Sequence, residues 1–63
     1  MTKKQIKTMA LKIAECEKIL NNAYSTEEEK RKAKETIQWV GTVVKSMEDF
    51  IAIDALVVEM LKK

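Results

Sequence analysis

Apolar residues recur every three or four positions through the first third of the chain, at Ile6, Met9, Ile13, Cys16, Leu20 and Ala23. This spacing places their side chains on one face of an α-helix. Thr2 and Gln5 precede the pattern at the spacing of a capping box, in which each side chain binds the other residue's backbone N–H. The pattern predicts a first helix over about residues 3–22.

The segment Asn21–Thr26 interrupts this periodicity. Asparagine is common where helices end, and serine and threonine are common where they begin. The three glutamates that follow Thr26 favour the positive end of a helix dipole. Because the connection is short, we expect the next helix to lie antiparallel to the first, as a helical hairpin.

Beyond this connection one apolar face continues without a change of phase, through Ala33, Ile37, Val40, Val44, Met47, Ile51, Ala55 and Val58. The unbroken phase favours a single long second helix over about residues 26–62. The alternative is a break near residues 45–47, with Ser46 capping a third helix of a three-helix bundle. Both alternatives are all-α, which suits a chain with no proline and one glycine.

The C-terminal stretch is apolar on almost every side, since Asp54 and Glu59 are the only polar residues between Phe50 and Leu61. Such a helix must be covered all round, and 63 residues leave little chain to cover it. We therefore expect a homo-oligomer, most simply a dimer in which two C-terminal halves pack antiparallel. The predicted interface consists of Met47, Phe50, Ile51, Asp54, Val57, Val58 and Leu61.

The composition offers little to an enzyme. There is no histidine for general acid–base work, a single cysteine cannot build a closed zinc site, and no glycine-rich loop is present to hold a phosphate. Cys16 falls on the apolar face of the first helix, where a core thiol is the expected role. We predict no catalytic residues, no cofactor and no metal. The pattern also predicts neither a leader peptide nor a membrane span, hence a cytoplasmic protein without a membrane partner.

Two acids fall on apolar faces, Glu17 in the first helix and Asp54 near the C-terminus. Burying a carboxylate is unfavourable unless it is paired or hydrogen-bonded. Three interpretations remain open. Each acid sets the register of an oligomer interface, lies near an end where water reaches it, or belongs to a binding site.

The remaining candidates are partner or ligand contacts: Glu17, Tyr24, Lys30, Arg31, Lys34 and Trp39. Glutamates interleave with the basic segment at helical neighbour spacing, which favours a solvated face over a phosphate site. Tryptophan is common at interface hot spots, and Tyr24 at the turn either is exposed or covers the end of the bundle. The preferred hypothesis is a small, non-enzymatic, homo-oligomeric protein that binds and modulates another protein, such as a phage- or plasmid-type adaptor or inhibitor. The alternative is binding of nucleic acid or an anionic nucleotide through lysine-rich helix faces.

Overall fold

Three helices make up the fold. The structure is a computed structural model that describes residues 1–62. The helices are α1 (Lys3–Asn21), α2 (Glu27–Val43) and α3 (Met47–Lys62). The prediction of an all-α chain is confirmed for this range, and α1 ends within one residue of its predicted boundary.

The same device starts α1 and α2. In α1, the Gln5 N–H donates to Thr2 Oγ1 at 3.1 Å and the Thr2 N–H donates to Gln5 Oε1 at 2.9 Å. In α2, Thr26 and Glu29 make the same two bonds at the same distances. Each capping box satisfies N–H groups that the helix itself leaves without partners. The predicted starts of both helices therefore follow from local side-chain chemistry.

The prediction of one continuous second helix is wrong. Val44 follows the last residue of α2 in an extended conformation, with φ −84° and ψ 117°. The Phe50 N–H then donates to the Ser46 carbonyl at 3.1 Å as α3 begins. A straight helix would leave its last four turns in water, whereas the turn at residues 44–46 brings Ile53 and Val57 into the core. The three-helix alternative is the observed arrangement.

Helix α1 lies between the other two. It contacts both α2 and α3, but no Cα of α2 lies within 8 Å of a Cα of α3 anywhere in residues 1–62. The Met1 amino group lies 3.4 Å from the Asp49 carboxylate, so α3 starts at the N-terminal end of α1. The Cα atoms span 34 × 26 × 16 Å, a flattened shape. Helix α3 therefore packs chiefly against α1, and Val40 of α2 shares the buried cluster with Ile53 and Val57.

Small side chains form the centre of the core. The buried cluster consists of Ala10, Ala14, Val40, Val44, Ile53 and Val57. Ala10 and Ala14 let the neighbouring helices approach α1 closely, because their side chains end at Cβ. The predicted stripe residues Ile6, Met9 and Ile13 are only partly buried and pack against this cluster.

Candidate interaction surface

The outward side of α3 carries a row of exposed apolar side chains. Met47 is 74% exposed and Ile51 63%, and Phe50, Val58 and Leu61 are each 39–46% exposed. At 100° per residue, all but Ile51 lie within an arc of about 80°, and Ile51 lies about 20° beyond it. Asp54 falls inside the same arc. We call Met47, Phe50, Ile51, Asp54, Val58 and Leu61 the α3 stripe.

One residue of the predicted interface, Val57, lies in the core of the single chain instead. It is 3% exposed and lies in the core beside Ile53 and the alanines of α1, so it is unavailable to a partner. The core side of α3, centred on Ile53 and Val57, is about a quarter turn from the α3 stripe on a helical projection. The sequence pattern placed Met47 and Ile51 on the same apolar face as the core residues of α2. The turn at residues 44–46 changes the direction of the chain, so in α3 these two side chains face solvent.

Neither of the two acids singled out in the sequence is fully buried. Asp54 is exposed, and Glu17 is half-buried on α1. Within residues 1–62 neither carboxylate accepts a hydrogen bond or forms an ion pair. Phe50, Ile51 and Val58 lie one turn from Asp54 on α3. The fold of one chain thus places a solvated carboxylate in the middle of an apolar row.

Two aromatic side chains are displayed elsewhere on the surface. Trp39 is about half exposed on α2, and Val43, one turn further on, is exposed beside it. Tyr24 is 94% exposed, so it does not cover the end of the helices. Its backbone N–H donates to Asn22 Oδ1 at 2.9 Å, and the Ser25 N–H donates to the Asn22 carbonyl at 3.2 Å. This hydrogen-bonded turn holds Tyr24 outward.

The basic segment of α2 is less internally paired than the sequence suggests. Lys30 is half-buried, and Arg31 and Lys34 are exposed. Across residues 1–62 the only ion pair between two side chains joins Glu28 and Lys32 at 3.7 Å, and both groups are exposed. Pairs at this spacing contribute a few tenths of a kcal/mol. The glutamates therefore do not neutralise Lys30, Arg31 or Lys34 by direct contact.

Charge is segregated between α1 and α3. Five lysines lie in α1 against Glu15 and Glu17, namely Lys3, Lys4, Lys7, Lys12 and Lys18. Three of them, Lys4, Lys7 and Lys18, lie within about 60° on the exposed side of the helix, around Leu11. Helix α3 contains one basic residue, Lys62, and four acidic residues: Glu48, Asp49, Asp54 and Glu59. Helices α1 and α3 thus carry opposite net charge.

An open groove of about 560 Å³ lies between α1 and α3. Its lining consists of Lys3, Ile6, Lys7, Ala52, Ala55, Leu56 and Met60. The alanines leave space there, and the two lysines stand on the α1 side. Over residues 1–62 no three acids, histidines or cysteines gather as a metal site. None of the described helices is long and apolar enough to cross a bilayer.

No family model, no curated protein and no solved structure matches this chain. Its function is therefore inferred from the surfaces described above.

One feature of these surfaces could be predicted from the sequence, and two others could not. Trp39 and Val43 share a side of α2, and their four-residue spacing signals this. The pairing of Asp49 with the Met1 amino group and the groove beside it carry no sequence signal. Both exist only because α3 folds back along α1.

Proposed function

We propose that this protein is a small, non-enzymatic interaction protein that self-associates through the α3 stripe and binds another protein. The observation that carries the proposal is the row of exposed apolar side chains on α3. Added together, the exposed fractions of the five apolar side chains equal about two and a half fully exposed side chains. Covering them would contribute roughly 4–8 kcal/mol per protomer at about 1.5–3 kcal/mol for each complete side chain.

Both protomers make this contribution in a symmetric dimer. The summed contribution is comparable with the roughly 4–15 kcal/mol that association costs in lost freedom of motion. A contact of this size supports reversible self-association at micromolar concentration, rather than an obligate dimer. The folded monomer, with its own core, suits such an equilibrium.

The second part of the proposal, binding of another protein, rests on Trp39 and Tyr24. Tryptophan and tyrosine are the side chains most often found at binding hot spots. Tyr24 is held by a hydrogen-bonded turn and Trp39 by a helix. Binding through such rigid elements loses little backbone entropy. An adaptor or inhibitor can therefore use these two aromatics while α3 is occupied in self-association.

Sedimentation equilibrium at micromolar concentration tests the self-association. Ile51→Asp adds a carboxylate to the α3 stripe and should yield a 7.2 kDa monomer. The helical circular dichroism should persist, because Ile51 is not part of the core cluster. Leu11→Asp, which makes the same kind of change on the exposed side of α1, is the control and should leave the mass of the dimer intact. A wild-type protein that is monomeric throughout would contradict the proposal.

The partner surface is tested by capture from lysate of the native host. Trp39→Ala and Tyr24→Ala should each lose a protein that the wild type retains. Gln38→Ala, an exposed neighbour on α2, is the matched control and should retain it. Identical captured proteins from all four baits would exclude Trp39 and Tyr24 as contacts.

A second candidate function is binding of nucleic acid or an anionic nucleotide. The exposed lysines of α1 favour it, since none of them contacts a carboxylate in residues 1–62. Phosphate contacts release counterions, so the affinity for a nucleic acid should fall steeply with salt. Replacing Lys4, Lys7 and Lys18 with glutamine should flatten that slope, and Lys32→Gln should not. Fluorescence anisotropy with labelled RNA and DNA measures both slopes, and an affinity independent of salt would exclude this function.

A further inference from the structure

Four residues of the α3 stripe are spaced symmetrically about Asp54, and Ile51 is the exception, because its counterpart Val57 is buried. Met47 precedes Asp54 by seven residues and Leu61 follows it by seven, while Phe50 and Val58 each lie four residues away. All four are exposed apolar side chains. A two-fold axis between antiparallel copies of one helix places each residue opposite the one equally far beyond the midpoint. Met47 of one copy then faces Leu61 of the other, and Phe50 faces Val58.

Charge complementarity also favours a second copy in this direction. Glu48 and Lys62 are exposed, lie on the same flank of the α3 stripe and stand near its opposite ends. Antiparallel pairing sets Lys62 of one copy beside Glu48 of the other, and symmetry repeats the pair. Parallel pairing would leave this ion pair unmade, because a two-fold axis along the helices places the flank with Glu48 and Lys62 beside the opposite flank of the other copy.

We propose that two copies of this chain pair through antiparallel α3 helices, and that their Asp54 carboxylates meet at the two-fold axis and make the dimer acid-stabilised. This inference rests on the self-association proposed above. Two ionised carboxylates repel each other strongly when apolar side chains surround them. One shared proton replaces that repulsion with a short, charge-assisted O–H···O⁻ hydrogen bond.

No charged group in residues 1–62 forms an ion pair with Asp54. On α1, the helix packed against α3, Lys3 and Lys7 border the groove with Ala52 and Ala55, but neither ammonium group lies within ion-pairing distance of the Asp54 carboxylate. Asp54 is exposed, so no element of its own chain covers it. The nearest charged residues on α3 are Asp49 and Glu59, each five residues away, and both are acids. Asp49 is already paired with the Met1 amino group. Across the axis, the group that faces Asp54 is Asp54 of the second copy.

The direction of the pH effect follows from linkage. The dimer binds a proton that the separate monomers do not hold, so a fall in pH strengthens association. One proton per dimer limits the change to about tenfold in Kd per pH unit. Between pH 7.5 and pH 5.0 we expect Kd to fall by about threefold to tenfold overall.

Sedimentation equilibrium at both pH values tests the inference on the wild type and two variants. Asp54→Asn keeps the shape of the side chain and removes its charge. It should tighten the dimer at pH 7.5 by a similar factor and abolish the pH response. Glu59→Gln removes one charge from the same helix outside the α3 stripe, and it should keep the wild-type pH response. A dimer whose Kd ignores both pH and Asp54→Asn would overturn the Asp54 pair.

Disulfide trapping tests the direction of the helices, in a Cys16→Ala background that removes the native thiol. In an antiparallel pair, cysteines at position 54 meet at the axis, whereas those at position 47 lie about 21 Å apart along the helix. Asp54→Cys should therefore form a covalent dimer on mild oxidation, and Met47→Cys should not. Covalent dimers from Met47→Cys alone would indicate parallel helices and refute the proposal.

These outcomes separate the two proposals. A dimer that Ile51→Asp disrupts, but that lacks the Asp54 response, leaves self-association standing and removes the acid-dependent pair. A wild-type chain that stays monomeric at both pH values removes both.

Discussion

Two isoleucines in α3 provide a matched test of how this helix faces the rest of the chain. Ile53 is 2% exposed and belongs to the core cluster, while Ile51, two residues earlier, is 63% exposed. Truncating a buried isoleucine to alanine costs about 2–5 kcal/mol, from lost burial and the cavity that remains. Truncating the exposed one should change the free energy of unfolding by less than about 0.5 kcal/mol.

The size of the protein sets the design of the assay. A core this small supplies only about 3–5 kcal/mol of stability, so Ile53→Ala should leave much of the chain unfolded. Ile53→Val, with an expected loss of about 0.5–1.5 kcal/mol, keeps a measurable transition. Urea unfolding followed by circular dichroism should be run well below micromolar concentration, where the proposed dimer dissociates. Otherwise, loss of dimer contacts at Ile51 would add to the measured change.

The reverse ranking would refute this account of the fold. If Ile51→Ala destabilised the monomer more than Ile53→Val, the face with Met47 and Ile51 would be the core side of α3. That result would restore the phase of a continuous second helix and make Ile53 a surface residue.

Two further predictions concern α2. An added Cβ at Gly41 would meet no atom within 4 Å. Gly41→Ala should therefore raise the free energy of unfolding by about 0.5–1 kcal/mol, raising Tm by a few degrees, and a lower Tm would contradict a regular helix there. The Thr26 backbone N–H, and then its hydroxyl, hold the pKa of Glu29 below its ordinary value of 4.5. This bond stabilises the fold above pH 4.5, and the contribution is lost as the pH falls through the lower folded pKa. Glu29→Gln, which copies the uncharged Gln5 box of α1, should reduce the loss of Tm between pH 6 and pH 3; an unchanged loss would assign it to other carboxylates.

Features that depend on neighbouring residues could be predicted from the sequence. The capping box at Thr2 needs only a partner three residues away, and the threonine and glutamates at residues 26–29 mark the start of α2, so both helix starts could be predicted. The position of the turn between α1 and α2 could be predicted, but its conformation could not. Asparagine at a helix end often adopts the left-handed conformation, whereas Asn22 is extended and its side chain accepts a hydrogen bond from the Tyr24 N–H. Several side-chain roles are open to one asparagine, and sequence alone does not choose between them.

The break after α2 could not be predicted in the same way. Val44, Lys45 and Ser46 contain no residue that stops a helix, and the apolar phase runs through them unchanged. Helix α2 ends because the whole structure is more stable that way. A continuous helix would leave Ile53 and Val57 in water, whereas the observed fold packs both against α1. That comparison requires the position of α1, which periodicity does not give. Because periodicity does not give the position of α1, the sequence pattern assigned Val57 to an interface and did not identify Ala10 and Ala14 as core residues.

The loss of the long helix leaves the physical reason for self-association in place. Helix α3 is apolar on two sides about a quarter turn apart. The core cluster around Ala10 and Val40 covers the side with Ile53 and Val57, whereas the side with Met47, Ile51 and Val58 is exposed. The three helices of residues 1–62 leave no further element to place over Met47, Ile51 and Val58. The proposed second copy would cover these side chains, and the spacing of Met47, Phe50, Val58 and Leu61 about Asp54 fits an antiparallel copy.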